Sequence, residues 1–159
     1  LFPYTTLFRS LRRSSRRSRL MIVADTNILS EPLRPQPDHR VIRWLAAHAP
    51  ELAITTFTVA ELRYGVYRLP VGRRRHALDA AVTALVTQAG DRLLSFGPAA
   101  AEHYAAIRAE RESKGVHVGV EDTMTAAICK VSNYPIATRK VADFQGDGTP
   151  IINPFDSPT

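Results

Sequence analysis

Apolar positions along this chain switch repeatedly between short continuous runs and helical three-and-four spacing, and each switch falls at a Pro, a Gly or a polar cluster. Met21 to Ala24 is an apolar run that reads as a first strand. Ile28 to Glu31 begins a short helix that Pro32 and Pro35 stop. Pro37-Asp38 opens a second helix, with Val41, Ile42, Leu45 and Ala49 at helical spacing and Trp44 beside them, closed by Pro50. Leu52 to Thr55 is a second strand, and Thr56 to Arg68 a helix expected to carry Ala60, Tyr64 and Tyr67 on one side. After the break at Leu69 to Gly72, residues 73–89 form a long helix striped by Leu78, Val82, Leu85 and Val86, with Gly90 suited to its end.

Arg92 to Phe96 follows as a third strand. Pro98 suits the first turn of the next helix, which turns Tyr104 and Ile107 inward and closes at Lys114-Gly115. Val120, Met124, Ala127, Ile128 and Val131 stripe another helix. Pro135 to Thr138 is a fourth strand, and Pro150 to Asn153 a fifth at an edge. Strands alternating with helices predict an α/β fold: a three-layer α/β/α sandwich around a parallel sheet of four to five strands, with right-handed crossovers. At 159 residues the chain suits one domain, expected over residues 21–155, with 156–159 as a tail.

The net charge of +6 changes this picture less than it suggests. Residues 1–20 hold six arginines (Arg9, Arg12, Arg13, Arg16, Arg17 and Arg19) and no acid; removing those six from 21 basic residues leaves 15, matching the 15 acids of the remainder. Any nucleic-acid contact would then come from local groups such as Arg73-Arg74-Arg75 or Arg139-Lys140 rather than from a global field. The Arg/Ser-rich leader has three readings: a transit peptide, a disordered basic arm, or non-native sequence. We favour the third, because Leu1 to Ser10 resembles a translated sequencing adapter, which makes Met21 the natural start. The single cysteine, Cys129, excludes an internal disulfide and fits a reducing cytoplasm. No histidine pair has zinc spacing, and no stretch approaches a membrane span.

Candidate chemistry lies in four acids. Asp25 ends strand one and is as well suited to cap a helix as to bind a ligand. Glu61 lies one to two turns into the helix after strand two, where a surface ion pair is the plain alternative. Asp122 opens the helix leading to strand four, a position the helix dipole favours for any acid. Asp143 falls in what reads as a polar, solvent-exposed loop just past strand four. In a doubly wound sheet three of these can converge at the carboxyl edge of the strands, while Asp122, at a helix start, needs the preceding loop to bring it there. Converging carboxylates repel unless a cation neutralises them or some take a proton. With oxygen donors and no His or Cys nearby, that cation is expected to be hard: Mg²⁺, or Mn²⁺.

Four stretches, in order, carry a family resemblance: Val23-Ala-Asp-Thr-Asn-Ile-Leu-Ser-Glu31, Thr58-Val-Ala-Glu-Leu-Arg-Tyr-Gly65, Val120-Glu-Asp-Thr-Met-Thr-Ala-Ala-Ile128 and Ala137-Thr-Arg-Lys-Val-Ala-Asp-Phe144, with Ile152-Asn-Pro-Phe155 as a similar ending. Together they resemble the PIN-domain ribonucleases, specifically VapC-like toxins of type II toxin–antitoxin pairs. The resemblance implies that Asp25, Glu61 and Asp122 are the principal metal-binding acids, with Thr26, Asn27 and Thr138 in support. It leaves two versions of the fourth acid, because Lys140 stands where many relatives have Asp or Asn. Either Asp143 supplies that charge, or three acids suffice and Lys140 touches phosphate.

The resemblance further implies a Mg²⁺-dependent endoribonuclease acting on tRNA or mRNA, a small cognate antitoxin, and a homodimer. Arg139 and Lys140, at the same sheet edge, are placed to position the RNA backbone or else form a solvated loop pair. The alternatives are a catalytically silent PIN module that binds RNA or a partner protein, and an RNA-processing nuclease that is not a toxin. A silent module is expected to lose acids, and the three main ones are present. A phospho-acceptor domain fails because strand three ends in Ser95-Phe96-Gly97 without an aspartate, and a dinucleotide enzyme fails for want of a Gly-x-Gly-x-x-Gly turn.

Overall fold

The computed structural model describes residues 21–156; the readings of the leader at 1–20, and of all but the first residue of the expected tail at 156–159, lie outside the described residues. Five parallel strands form one sheet in the order β3-β2-β1-β4-β5. They are β1 (Ile22–Ala24), β2 (Leu52–Thr55), β3 (Leu93–Leu94), β4 (Ile136–Ala137) and β5 (Ile151–Ile152). The helices are α1 (Thr26–Leu29), α2 (His39–His48), α3 (Thr56–Tyr67), α4 (Arg73–Ala89), α5 (Pro98–Ser113), α6 (Val120–Ser132) and α7 (Val141–Phe144).

The three central strands are buried on both faces, and their alternation divides the core. Ile22 and Ala24 of β1, Leu52 and Ile54 of β2 and Ala137 of β4 join Ile28, Val41, Trp44, Leu45, Leu62, Val66, Leu78, Val82 and Leu85 from α1–α4 in one cluster. Val23, Ala53 and Ile136, one residue out of phase, pack in a second cluster with Ala100, Ile107, Ala126 to Cys129 and Phe144. Period-two side chains therefore feed two helical layers, as expected of a parallel sheet covered on both sides. This is the three-layer α/β/α sandwich expected from the pattern.

Chain direction sets where the sheet opens. From β1 the chain runs outward through β2 to β3, then returns to place β4 on the other flank of β1. The β1/β4 boundary is thus the point where strand order reverses, and helices leave it in opposite directions; crevices at such points accept ligands. Val23 pairs with Ile136 and Ala24 with Ala137, so Asp25 and Thr138 emerge side by side at the carboxyl edge.

Several local expectations are corrected. The first helix begins at Thr26 rather than Ile28, because the Asp25 side chain accepts the Thr26 backbone N–H. In α3 the Tyr64–Tyr67 side faces solvent, at 64% and 58% exposure; the buried side is Thr58, Leu62 and Val66. In α6, Val120 and Val131 are exposed while Thr123 and Thr125 to Cys129 are buried, since the helix packs closely on α5 through small residues. The polar loop expected around Asp143 is the single-turn helix α7, pinned by the fully buried Phe144.

Candidate active site

Asp25 is 6% exposed and accepts three hydrogen bonds. It accepts the Thr26 backbone N–H at 2.7 Å, the Asn27 side-chain amide, and the Thr138 hydroxyl at 2.6 Å. Asn27 in turn donates to Thr138 Oγ1 at 3.2 Å and accepts the Arg139 backbone N–H at 3.0 Å. The Lys140 N–H donates to Thr138 Oγ1 at 3.0 Å. The loops after β1 and β4 are thus stitched together, and the Asp25 carboxylate is held in one orientation at their seam. Asp25 caps the helix, and capping occupies only one of its oxygens. Its Oδ1 takes the helix N–H, while its other oxygen faces the partner strand.

Glu61 comes from α3, whose start is set by Thr55 at the end of β2; the Thr55 hydroxyl accepts the Thr58 N–H at 3.1 Å. The exposed Glu61 carboxylate accepts the Thr26 hydroxyl, which ties it to the residue beside Asp25. Asp122 lies in the first turn of α6, and both its oxygens accept Lys140 Nζ at 3.0 Å. Asp143 is part-buried at the end of the same β4 excursion, and among the described residues its carboxylate has no hydrogen-bond partner. Glu121, beside Asp122, is exposed.

The fields tie these groups into one cluster. Burial pushes the Asp122 carboxyl above its ordinary pKa; bonding to Lys140 pulls it back, and the charges of Asp25 and Asp143 add to the rise. Burial disfavours the Lys140 ammonium, yet its bonds to Asp122 and the fields of Asp122, Asp25 and Glu61 outweigh that and carry it above the usual lysine value. An ion pair ordinarily lowers its acid. Here Asp122 still rises, because its side chain is only 17% exposed and crowded by other carboxylates. Beside the cluster, Asn27, Ser30, Glu31, Leu33, Arg34, Pro35, Arg139 and Phe155 line a cleft of about 400 Å³, and the Arg139 guanidinium lies over the Phe155 ring at 5.1 Å.

The PIN domain family matches residues 22–140, which run from β1 to the lysine on Asp122. The chain belongs to the PIN-domain family. Among its relatives is the VapC ribonuclease Y4jK of Sinorhizobium fredii, 36% identical, with 86% of this chain and 99% of that protein covered. Another is the toxin FitB of Neisseria gonorrhoeae, 35% identical over 85% of this chain and 99% of that one. Among solved structures, FitAB bound to a DNA fragment contains a chain matching 87% of this one with a TM-score of 0.82 and 33% identity, and 99% of that chain is covered.

This PIN domain also relies on residues that sequence reading passed over. Arg111 of α5 is 7% exposed, forms an ion pair with the buried Asp147 at 3.1 Å, and donates to the Asp143 carbonyl at 2.7 Å and to Thr123 Oγ1 at 3.3 Å. It therefore braces the α7 turn carrying Asp143 against the start of α6 carrying Asp122. The sole sequence signal was an aspartate between Gly146 and Gly148, each of which has positive φ. Glu31 is a second buried acid, 3% exposed, accepting the Asp38 N–H at 2.9 Å and pairing with Arg34 at 3.2 Å. It holds the turn below the cleft.

The donor set fits a hard divalent ion in its chemistry: carboxylate oxygens only, with an excess of negative charge, already holding one cation in Lys140. As the side chains lie, no three His, Cys, Asp or Glu among the described residues stand together as a chelating group. The hydrogen bonds give the reason. Oxygens of Asp25, Glu61 and Asp122 are each turned to an internal donor, and Asp122 is taken on both sides by the ammonium.

Proposed function

We propose that this PIN domain is a Mg²⁺- or Mn²⁺-dependent endoribonuclease, the toxin of a toxin–antitoxin pair, cleaving tRNA or mRNA in the cytoplasm. What supports the reading is that acids from four separate segments lie near the strand-order reversal, where Asp25 and Asp143 act on Asp122, and Asp25, Glu61 and Asp122 act on Lys140. The ribonuclease and toxin relatives support it, and their near-complete coverage supports it further. Among the described residues no helix is long and apolar enough to cross a membrane.

Asp25, Glu61 and Asp122 would hold the divalent ion, joined by Asp143 in the four-acid version of the site. When bound, such an ion lowers the pKa of water and offsets the charge that develops on phosphorus. The residues of the chain do the rest. The Thr26, Asn27 and Thr138 donors keep the Asp25 carboxylate from turning away. A carboxylate of the cluster takes the proton of the attacking water. The water oxygen bonds to phosphorus in line with the breaking P–O3′ bond, and the departing 3′ oxygen takes its proton from solvent water. The products are 5′-phosphate and 3′-hydroxyl ends. Arg139 and Lys140, on the loop after β4, hold the backbone phosphates on either side, with the Arg139 plane steadied on Phe155.

A small cognate antitoxin blocking this edge, and a homodimer presenting two such edges, complete the reading; the FitAB assembly supports the existence of a partner protein. The test is Asp25→Asn. It keeps the size and planar shape of the side chain and removes the charge; one of the two accepting oxygens becomes an N–H donor, at a cost of about 1–3 kcal/mol, so the fold should persist with that loss while Mg²⁺-dependent RNA cleavage disappears. Unchanged cleavage by the purified variant would refute the site.

A further inference from the structure

One side chain in the cluster is not an acid. Lys140 Nζ sits symmetrically on Asp122, 3.0 Å from each oxygen. That geometry takes both oxygens of a carboxylate the proposed function needs free. The backbone beneath it is anchored, since the Lys140 N–H is bonded to Thr138 and the adjoining Arg139 N–H to Asn27. Its side chain is not, being 46% exposed with four rotatable methylenes. The ammonium is therefore tethered at the site yet able to leave Asp122. Resting on the metal-dependent reading above, we propose that Lys140 is a built-in competitor of the divalent ion for Asp122, so that metal binds only as the ammonium moves off that carboxylate.

Four carboxylates and one ammonium leave an incoming ion a weaker field than the acids alone. The ion also meets only the fraction of molecules in which Asp122 is free. If the pair is closed in about nine molecules of ten, apparent affinity falls about tenfold. Once released, the ammonium lies on the open side of the cluster, where an anionic backbone phosphate is its next partner. RNA that engages Lys140 thereby frees Asp122, and substrate and metal favour each other's binding by the same factor.

The test is Mn²⁺ binding at low ionic strength without RNA, by calorimetry, for the wild type, Lys140→Met and Lys140→Arg. Lys140→Met should bind Mn²⁺ about tenfold more tightly, and Lys140→Arg should stay near the wild type. In an Asp122→Asn background, Lys140→Met should bring much less gain, because the competition acts through that one carboxylate. Melting temperature gives a second readout: Mn²⁺ should raise that of Lys140→Met by more than that of the wild type. The proposal is overturned if Lys140→Met binds Mn²⁺ no better than the wild type, if nothing binds, or if the gain is equal in both backgrounds, which would mean general charge removal. An inactive wild type that still showed the Mn²⁺ pattern would defeat the nuclease reading alone and leave this one standing.

Discussion

Removing Arg111 should cost far more than its place on a helix surface suggests. Its side chain is 8% exposed and that of Asp147 2%. Arg111→Met keeps most of the buried stem and deletes the charge. Asp147 is then left in the interior with only the Thr149 N–H at 2.7 Å, while Thr123 and the Asp143 carbonyl each lose a donor. Breaking a buried pair from one side costs roughly 3–5 kcal/mol, against a total domain stability of about 5–15 kcal/mol. With a urea m-value of about 2 kcal/mol/M, the unfolding midpoint should fall by roughly 1.5–2.5 M.

Two controls sharpen this prediction. Lys114→Ala, which breaks the exposed pair with Glu110 at 2.6 Å, should shift stability by less than about 0.5 kcal/mol. The double variant Arg111→Met/Asp147→Leu should recover most of the loss, because no buried charge is stranded. Equilibrium unfolding followed by circular dichroism measures all three. A single-variant loss below about 1 kcal/mol, or a double variant as unstable as the single, would refute the reasoning.

Asp143→Ala separates the two versions of the metal site: a fall in cleavage of more than about tenfold, about 1.4 kcal/mol of barrier, assigns it as a ligand, and a smaller fall favours three acids. Thr138→Val removes the 2.6 Å bond to Asp25 and strands the donors around it, so stability should drop by about 1–3 kcal/mol in thermal melts and cleavage should fall with it. Cys129 is buried, and burial pushes its thiol from 9.0 to about 12, so it should resist a disulfide reagent at pH 8 until the protein unfolds. The sign of the linked pH effect follows: the folded state keeps this proton between about pH 9 and 12 while the unfolded state releases it, so stability should decline through that window in alkaline unfolding curves. Phe144→Ala, at a fully buried anchor, should cost about 3–5 kcal/mol by urea unfolding.

Much of the fold was legible in the order of the chain, because the local rules there are strong. Pro98 stands at the first turn of α5, Gly90 closes α4 with a positive φ, and continuous apolar runs mark β1 and β2. Asp25 and Asp122 stood out because one follows a strand and the other opens a helix at one edge of a parallel sheet; Glu61, mid-helix, and Asp143 stood out only through the family resemblance. Helix orientation was less so: Tyr64 and Tyr67 of α3 have apolar bodies and polar tips, and periodicity alone does not say which such stripe meets the sheet. The turn at Asp143 was misread because Val141 to Phe144 is too short to show a period, and only the depth of Phe144 makes it a helix.

The sequence by itself determined the alternation of strands and helices, which follows from residue type and spacing within a few positions, and it offered four acids near strand and helix ends as candidates. Only the tertiary structure decided their partners. Asp25 meets Thr138 across 113 positions, Asp122 meets Lys140 across 18, and Arg111 meets Asp147 across 36. Those meetings exist because β4 is laid beside β1 and α6 against α5. No local propensity encodes such pairings; the burial of two helical layers on one twisted sheet does.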